Sequence, residues 1–201
     1  MDAPIYSDLW KSWEEPVVPE FFNPTEIILD RHADGLQAHK PALIVEDESV
    51  SYAQLRAEVC RAANGLRRIR LAVDSRILVF ATDSLATIAT WLAAVRRGVV
   101  PAGISELYKA HQLAYFLRDT AATALFIDEA QFEKLAEACD DLPDTLRKVI
   151  VNGSVAEHGF LSARGIEVMS YADLVEGMAD EAVAVPRHCN DVTYMFYSGG
   201  T

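Results

Sequence analysis

The sequence predicts an α/β fold, with an open, mainly parallel sheet and helices on both faces. Short, continuously apolar runs recur at 77–81, 124–127 and 148–151, as is typical of parallel strands that are covered on both sides. Segments with helical periodicity separate these runs, and the connections between them are short. Because crossovers in such a pattern are right-handed, we expect the helices to cover both faces of the sheet.

The first part of the chain predicts a helix, a β-hairpin and a second helix. Asn23 or Thr25 can cap the first helix, because either side chain can accept a hydrogen bond from the first turn. Apolar runs at 42–45 and 50–52 flank a charged turn, which predicts the hairpin. The segment 51–54 fits a capping box, and an amphipathic helix follows it.

The middle of the chain predicts two further strand–helix units. Ser84 can cap a helix that ends at 96–98, where two arginines complement the helix dipole and a glycine terminates the helix. A short strand at 99–101 follows this helix. The next helix is expected to start at Ser105 or Glu106 and to precede the strand at 124–127.

The last part of the chain has a looser pattern. A helix with Phe132 facing inward follows the strand at 124–127, and 167–170 predicts a short strand. The residues after Ser170 resemble a helix start, whereas 179–190 has the composition of a connection. The aromatic and β-branched run at 191–197 predicts a buried strand.

Composition and charge exclude several classes of protein. The chain has 201 residues, of which 51% are hydrophobic, and a formal net charge of −12. This charge argues against binding to nucleic acid or to an anionic membrane by bulk electrostatics, and no apolar run is long enough to span a bilayer. The basic cluster at 67–70 is the main exception. We interpret it as the solvated end of a helix rather than an anion site.

The cysteines and the N-terminus predict a cytoplasmic protein. Cys60, Cys139 and Cys189 are odd in number and lie far apart, so a disulfide framework is not expected and the thiols are expected to be buried or idle. His188 adjoins Cys189, but adjacent residues do not have the spacing of metal ligands, and we predict no metal site. The N-terminal residues lack the basic and apolar regions of a signal peptide.

The candidate ligand-binding segment is the small-residue stretch Ser198, Gly199, Gly200 and Thr201. It follows the predicted strand at 191–197, and in parallel sheets ligands bind at the carboxyl ends of strands. Glycines allow the backbone to approach a ligand, and hydroxyl and N–H groups can hold phosphate oxygens. The stretch is not a Walker A loop, because no Gly-Lys-Ser/Thr follows. An ordinary tight turn remains the alternative interpretation.

Three segments together carry a family resemblance. Residues 50–55 read Val-Ser-Tyr-Ala-Gln-Leu, 91–101 ends in Gly-Val-Val-Pro, and 191–201 leads from an apolar run into Ser-Gly-Gly-Thr. In this order and spacing they resemble the N-terminal part of the adenylate-forming enzymes, which include acyl- and aryl-CoA synthetases, luciferases and peptide-synthetase adenylation domains. The resemblance covers roughly residues 22–201. The opening at 22–25 is similar to that of benzoate-CoA ligases and related aryl-CoA ligases.

The resemblance implies a two-step chemistry that uses ATP, Mg²⁺ and coenzyme A. A carboxylic acid is activated as an acyl-AMP, and the acyl group then passes to the thiol of CoA. By resemblance, Ser198, Gly199, Gly200 and Thr201 hold phosphate oxygens, and Tyr197 is a packed residue rather than a ligand. Gly199 stands where the family usually has Ser, so one hydroxyl is lost and loop mobility is expected to change. The family's catalytic lysine and acyl pocket lie downstream, so we assign no catalytic residue here.

The resemblance also predicts how the chain is divided. We expect an N-terminal arm at 1–24, an α/β subdomain at 25–190, and at 191–201 a strand and half of a phosphate loop that begin the next subdomain. The remainder of such an enzyme would follow downstream, so the chain alone is expected to be inactive. Two alternatives stay open: an adenylation domain that loads a carrier protein, and a non-catalytic α/β binding module.

Overall fold

The structure is a computed structural model that describes residues 18–45, 48–155 and 158–197. Its strands, in chain order, are β1 (Phe21–Phe22), β2 (Pro41–Val45), β3 (Glu48–Ser51), β4 (Arg76–Phe80), β5 (Val100–Gly103), β6 (Ala124–Asp128), β7 (Lys148–Asn152), β8 (Glu167–Ser170), β9 (Arg187–His188) and β10 (Met195–Phe196). Its α-helices are α1 (Pro24–Ile28), α2 (Tyr52–Arg68), α3 (Leu85–Arg96), α4 (Ala110–Asp119), α5 (Phe132–Glu137), α6 (Gly159–Ser162) and α7 (Tyr171–Val175).

The centre of the fold is a six-stranded sheet in the order β10-β5-β4-β6-β7-β8. Each neighbouring pair of strands in it is parallel. In the middle of the sheet, Leu78 of β4 lies between Ala102 of β5 and Leu125 of β6. The prediction of an open parallel sheet is therefore confirmed, and the strand at β8 joins it as expected.

Two hydrophobic layers cover the sheet, one on each face. Successive residues of β4 alternate between them, so that Ile77 and Val79 face one layer while Leu78 and Phe80 face the other. The first layer includes apolar residues of α2, α3 and α7, and the second includes those of α4, α5 and α6. Burial on both faces is the reason that these strands are continuously apolar.

Capping side chains place the helix starts where the sequence predicts them. The Asn23 side chain accepts from the Thr25 amide at 3.0 Å, and Glu26 completes a capping box at α1. Ser51 and Gln54 form the equivalent box at α2. β2 and β3 pair as the predicted antiparallel hairpin. These features confirm predictions that depend only on residues close together in the chain.

The start of α4 differs from the prediction. We expected the helix to begin at Ser105 or Glu106, but it begins at Ala110. The side chain of Gln112 accepts from the Lys109 amide at 3.0 Å and so fixes the first turn. Residues before Lys109 form a separate turn, because the Tyr108 amide donates to the Ser105 carbonyl.

The predicted buried strand at 191–197 is also wrong in two respects. Only Met195–Phe196 forms a strand, β10, and this strand lies at the edge of the sheet beside β5. Tyr194 is 51% exposed and Phe196 is 72% exposed. An edge strand has one neighbour, so a high aromatic content does not by itself produce burial.

Arg96, one of the two arginines at the end of α3, is a buried cation. Its Nη1 donates to the Asp30 carboxylate at 2.9 Å and to Thr25 Oγ1 at 3.2 Å. Its Nε and Nη2 both donate to the Ala182 carbonyl, at 2.9 and 2.6 Å. The side chain thereby ties the end of α3 to the N-terminal helix and to the segment before β9.

The N-terminal arm is described only from residue 18. Within it, β1 pairs antiparallel with β9, and the Phe21 ring meets the His188 ring edge to face, 5.3 Å between centroids. Trp10 and Trp13, the tryptophans of this arm, lie outside the described residues. Among the residues that are described, no helix has both the length and the apolar character needed to cross a bilayer.

Candidate functional site

The carboxyl ends of the parallel strands meet at one edge of the sheet, where β4 occupies a special position. The chain leaves β4 toward α3 on one face, and it leaves β5 and β6 toward α4 and α5 on the other face. Loops that diverge in this way open a crevice between neighbouring strands, and ligands of α/β proteins bind in such crevices. The carboxyl end of β4 is therefore flanked by two potential crevices.

The crevice between β4 and β6 is closed by a carboxylate. Asp128, which is 8% exposed, accepts hydrogen bonds from the Thr82 amide at 2.7 Å and the Thr82 hydroxyl at 2.8 Å. It also accepts from Asn152 Nδ2 at 2.8 Å. One side chain thus connects the ends of β4, β6 and β7 across this crevice.

The crevice between β4 and β5 remains open as a cavity of about 260 Å³. Its wall is formed by residues from the ends of both strands, from the first turns of α3, from the loop after β5 and from the end of β10: Val79, Ala81, Asp83, Thr87, Trp91, Gly103, Ile104, Ser105, Tyr108 and Tyr197. The wall combines aromatic and aliphatic surface with hydroxyl groups and one carboxylate. This composition is usual for a small-molecule site.

The N-terminus of α3 and a glycine of β5 shape this cavity. Ser84 Oγ accepts from the Thr87 amide at 3.1 Å, and the Thr87 hydroxyl donates to the Thr82 carbonyl at 2.7 Å. A Cβ at Gly103 would lie 3.0 Å from the Trp91 ring, so a larger residue there would push against the indole. The Gly103 position therefore permits the close approach of α3 to the strand.

Tyr197 connects the cavity to the predicted phosphate loop. Its ring packs against Phe116 with 4.5 Å between centroids, and its hydroxyl donates to Asp119 Oδ2 at 2.6 Å. Burial, together with the hydrogen bond to Asp119, raises the pKa of the Tyr197 hydroxyl well above its usual range. The hydroxyl is therefore a neutral donor, and Tyr197 is a packed anchor, in agreement with its sequence interpretation.

The four residues of the predicted phosphate loop, Ser198, Gly199, Gly200 and Thr201, lie outside the described residues. The structure therefore brings the end of β10 to the cavity but gives no contact of the loop itself. Across residues 18–45, 48–155 and 158–197, no group of three His, Cys, Asp or Glu side chains is arranged to hold a metal ion. Cys60 is buried, and burial raises the pKa of its thiol, as expected of an idle cysteine.

Sequence reasoning missed two features of this edge. Asp128 and Asn152 are polar residues that each end an apolar strand. These polar strand ends could have indicated the hydrogen-bond network of Asp128 between β4 and β6. The second missed feature is an aromatic cluster formed by α3 and the edge strand β10. Trp91 stacks on Phe196 with 5.6 Å between ring centroids, and Tyr194 lies edge-on to Phe196 at 4.9 Å.

The strand order and the open crevice define the class of this protein: an open parallel α/β fold with a cavity of about 260 Å³ at the carboxyl ends of its strands. Sequence similarity identifies a family within this fold class. Residues 29–201 match the AMP-binding enzyme family, and the chain belongs to that family. The predicted similarity to the N-terminal part of adenylate-forming enzymes is therefore confirmed.

Several curated relatives with similar sequences are aromatic acid–CoA ligases by name. The chain is 30% identical to 3-hydroxybenzoate–CoA ligase of Aromatoleum sp. (strain CIB) over 177 residues, which cover 88% of this chain and 32% of that protein. It is 26% identical to benzoate–CoA ligase of Thauera aromatica over 185 residues, covering 92% of this chain and 33% of the relative. The chain thus spans about a third of the length of these relatives.

Solved structures share the fold. An anthranilate CoA ligase solved with anthranoyl-AMP superposes with a TM-score of 0.80 at 23% identity, over 91% of this chain and 33% of that one. A benzoate CoA ligase from Burkholderia xenovorans LB400 gives a TM-score of 0.71 at 23% identity, over 86% of this chain and 32% of the other. At this identity the likeness establishes the fold alone.

Proposed function

We propose that the protein carrying this chain is an ATP-dependent, AMP-forming ligase that joins an aromatic carboxylic acid to coenzyme A. The observation that carries the proposal is the position of Tyr197, at the cavity wall and directly before the stretch that resembles the family's phosphate loop. Tyr197 lines the same cavity as Thr87, which belongs to the first turn of α3. Family membership supports the reaction class.

The proposed reaction proceeds in two steps. The substrate carboxylate attacks the α-phosphorus of ATP, the bond to the β-phosphate oxygen breaks, and pyrophosphate leaves. The thiol of CoA then attacks the acyl carbon of the acyl-AMP, loses its proton, and displaces AMP. The chain's own contribution is to position the phosphates and to stabilise their charge, which are the main sources of rate enhancement in reactions of this kind.

The phosphate-binding role falls to Ser198, Gly199, Gly200 and Thr201. Their hydroxyl and backbone N–H groups would hold oxygens of the β- and γ-phosphates, and Gly199 would contribute only its backbone. Mg²⁺, when bound, would offset phosphate charge, and it needs only one or two carboxylates when phosphates supply other ligands. Asp83 is the carboxylate in the cavity wall that could bind Mg²⁺.

We also propose a division of the chain into an N-terminal arm at 1–24, an α/β subdomain at 25–190, and the beginning of a second subdomain at 191–201.

The choice of substrate and acceptor rests on the relatives. The aromatic acids in the names of two relatives, 3-hydroxybenzoate and benzoate, support an aryl acid, as does the opening at 22–31. Other relatives are named as an acetyl-coenzyme A synthetase and as medium- and long-chain-fatty-acid–CoA ligases. Acetate and fatty acids are therefore the competing substrates. The names of all of these relatives support CoA as acceptor. The requirement for ATP and CoA further supports the cytoplasm as the place of action.

The proposal is tested with the full-length protein. We expect CoA thioester formation from benzoate or a hydroxybenzoate to require ATP, to release pyrophosphate and AMP, and to exceed the rate with acetate or palmitate. Thioester is measured by chromatography and pyrophosphate by a coupled assay. The isolated 201-residue chain is the matched control, and we expect it to release no pyrophosphate above buffer background.

Several outcomes would contradict the proposal. Thioesters formed only from long-chain fatty acids would remove the aromatic substrate, and transfer only to a carrier-protein thiol would identify the alternative adenylation domain. A full-length protein that binds ATP but releases no pyrophosphate with any acid would favour the non-catalytic binding module. Pyrophosphate release by the isolated chain would show that adenylation does not need the part of the relatives' length that this chain does not span.

Substituting Thr201 tests the proposed phosphate loop. In the full-length enzyme, Thr201→Val should raise the KM for ATP or lower the adenylation rate by roughly tenfold to a hundredfold. The reason is that a hydrogen bond to a charged group contributes about 1.5–3 kcal/mol. Thr201→Ser keeps the hydroxyl and is the control that should stay close to wild type. Single-turnover adenylation kinetics measure the effect, and a thermal melt reports any loss of stability.

If Thr201 only shapes a turn, Thr201→Val would lower the melting temperature and leave the ATP kinetics unchanged. That result would remove Thr201 from the proposed site. A comparable kinetic loss in the Thr201→Ser variant would also argue against the role of the hydroxyl.

A further inference from the structure

A second groove, here called the basic groove, lies at the opposite, amino edge of the central sheet. It has a volume of about 560 Å³ and is lined by four cationic side chains: Arg68, Arg70, Arg147 and Lys148. Two come from the end of α2 and the loop after it, and two come from the start of β7. These two pairs lie far apart in the sequence, and the sequence alone indicates only a solvated helix end at 67–70.

We propose that the basic groove binds a small phosphomonoester.

The positive charge in the groove is only partly neutralised. Lys148 pairs with Glu167 across the neighbouring strand. Arg147 donates to the Leu146 carbonyl at 3.1 Å, and Arg68 donates to the carbonyls of Asp173 and Leu174. Carbonyl groups satisfy donors but do not cancel their charge. Within the described residues, no hydrogen bond or ion pair to the Arg70 side chain is present.

The acidic groups around the groove do not reverse this balance. The Glu167 carboxylate pairs with Lys148. The Asp173 carboxylate accepts from the hydroxyl and amide of Ser170, the N-cap residue of α7. The two carboxylates offset at most two of the four cations, whereas the whole chain carries a net charge of −12. A site of opposite sign to the whole protein selects a compact anion rather than a long polyanion, which the overall charge repels.

The uncharged part of the groove fits the organic part of such a ligand. Ile69 and Leu71 contribute apolar surface, and Ser75 and Thr123 contribute hydroxyl groups at the strand starts. The volume lies within the usual range for small-molecule pockets, roughly 300–1,000 Å³. Arginine side chains suit a phosphate group, because the planar guanidinium can donate two parallel hydrogen bonds to its oxygens.

The groove is separate from the site proposed for ATP. Lys148 begins β7, whereas Asn152 ends it at the carboxyl edge, so the strand's length separates the two edges. Binding of a phosphomonoester in the basic groove is therefore expected without ATP or a carboxylic acid. The inference does not depend on the proposed ligase activity, and its test uses none.

The probes for this test are phenyl phosphate and inorganic phosphate. Titration of the 201-residue chain at low ionic strength should give saturable one-site binding by calorimetry, with phenyl phosphate the tighter of the two. In nuclear magnetic resonance spectra, the backbone amide signals of Arg70, Thr123 and Lys148 should shift together. The affinity should fall as salt is added, because the cations are exposed to screening.

A pair of double variants makes the test specific. Arg70→Gln with Arg147→Gln should weaken phenyl phosphate binding at least about tenfold, since hydrogen bonds from charged donors are lost. Arg31→Gln with Lys40→Gln changes the net charge equally at exposed positions outside the groove and should bind as wild type. Circular dichroism and a thermal melt confirm that both variants are folded.

Three results would overturn the inference. The first is the absence of saturable binding to the wild-type chain, and the second is an equal loss of affinity in the two double variants. The third is tighter binding to a single-stranded oligonucleotide than to phenyl phosphate, lost in the Arg70→Gln and Arg147→Gln variant, which would assign the groove to nucleic acid instead.

Discussion

Replacing Arg96 by Met is expected to lower the free energy of unfolding of the chain by about 3–5 kcal/mol, because it removes one partner of a buried ion pair. The side chain of Arg96 is 8% exposed, and that of its partner Asp30 is 25% exposed. The substitution also leaves the Ala182 carbonyl and the Thr25 hydroxyl without their donor. Urea denaturation followed by circular dichroism measures the loss.

The adjacent arginine provides a matched control for this experiment. Arg97 is half-buried, and its Nε has no hydrogen-bond partner in the described part of the chain. Burial, followed by the charge of Arg67, lowers the pKa of its guanidinium. Arg97→Met therefore removes an uncompensated cation and should cost less than about 1 kcal/mol, within the range of substitutions that break no network. Similar losses for both variants would mean that general packing of the helix end, and not the Asp30 pair, is responsible.

The second large effect is expected at Asp128. Asp128→Ala should lower the free energy of unfolding by about 3 kcal/mol, because three hydrogen-bond donors lose a charged acceptor. These donors are the amide and hydroxyl of Thr82 and the side-chain amide of Asn152. The same substitution should loosen the ends of β4, β6 and β7, which frame the candidate site. Hydrogen exchange of the Thr82 amide reports this loosening directly.

Glu129→Ala is the control for the Asp128 experiment. Glu129 follows Asp128 in the chain, and its exposed carboxylate accepts a hydrogen bond from the Ser154 amide at 2.8 Å. Its loss should cost less than about 1 kcal/mol, as is usual at the surface. If Asp128→Ala costs no more than Glu129→Ala, or if the Thr82 amide stays protected, the carboxylate does not hold the crevice closed.

Local elements of the fold were predictable because their signals lie within a few residues. The Asn23 and Ser51 caps act on amides two or three positions away, and so the starts of α1 and α2 were correctly predicted. Apolar runs such as 124–127 predicted strands because both faces of the sheet are covered. The start of α4 was misplaced because Ser105 is a typical N-cap residue, whereas the side chain of Gln112 fixes the first turn at Lys109.

The candidate site was predictable only in part. The run that ends at Tyr197 indicated where a phosphate loop would emerge, and the structure puts Tyr197 in the wall of the open crevice. The sequence could not show that the neighbouring crevice is closed, because Asp128 and Thr82 are 46 positions apart and meet only when β4 and β6 pair. It also could not show that Met195–Phe196 is an edge strand with exposed aromatic residues.

By itself the sequence determined the fold class, most helix and strand positions, and the family of adenylate-forming enzymes. These follow from periodicity, capping and short motifs, which act between residues close in the chain. The tertiary structure decided the burial of Arg96 against Asp30, 66 positions away, and the meeting of Arg70 with Arg147 at one groove. The sequence gives the charge of each side chain. Its ion-pair partner and its exposure to solvent depend on which distant segments the fold brings beside it.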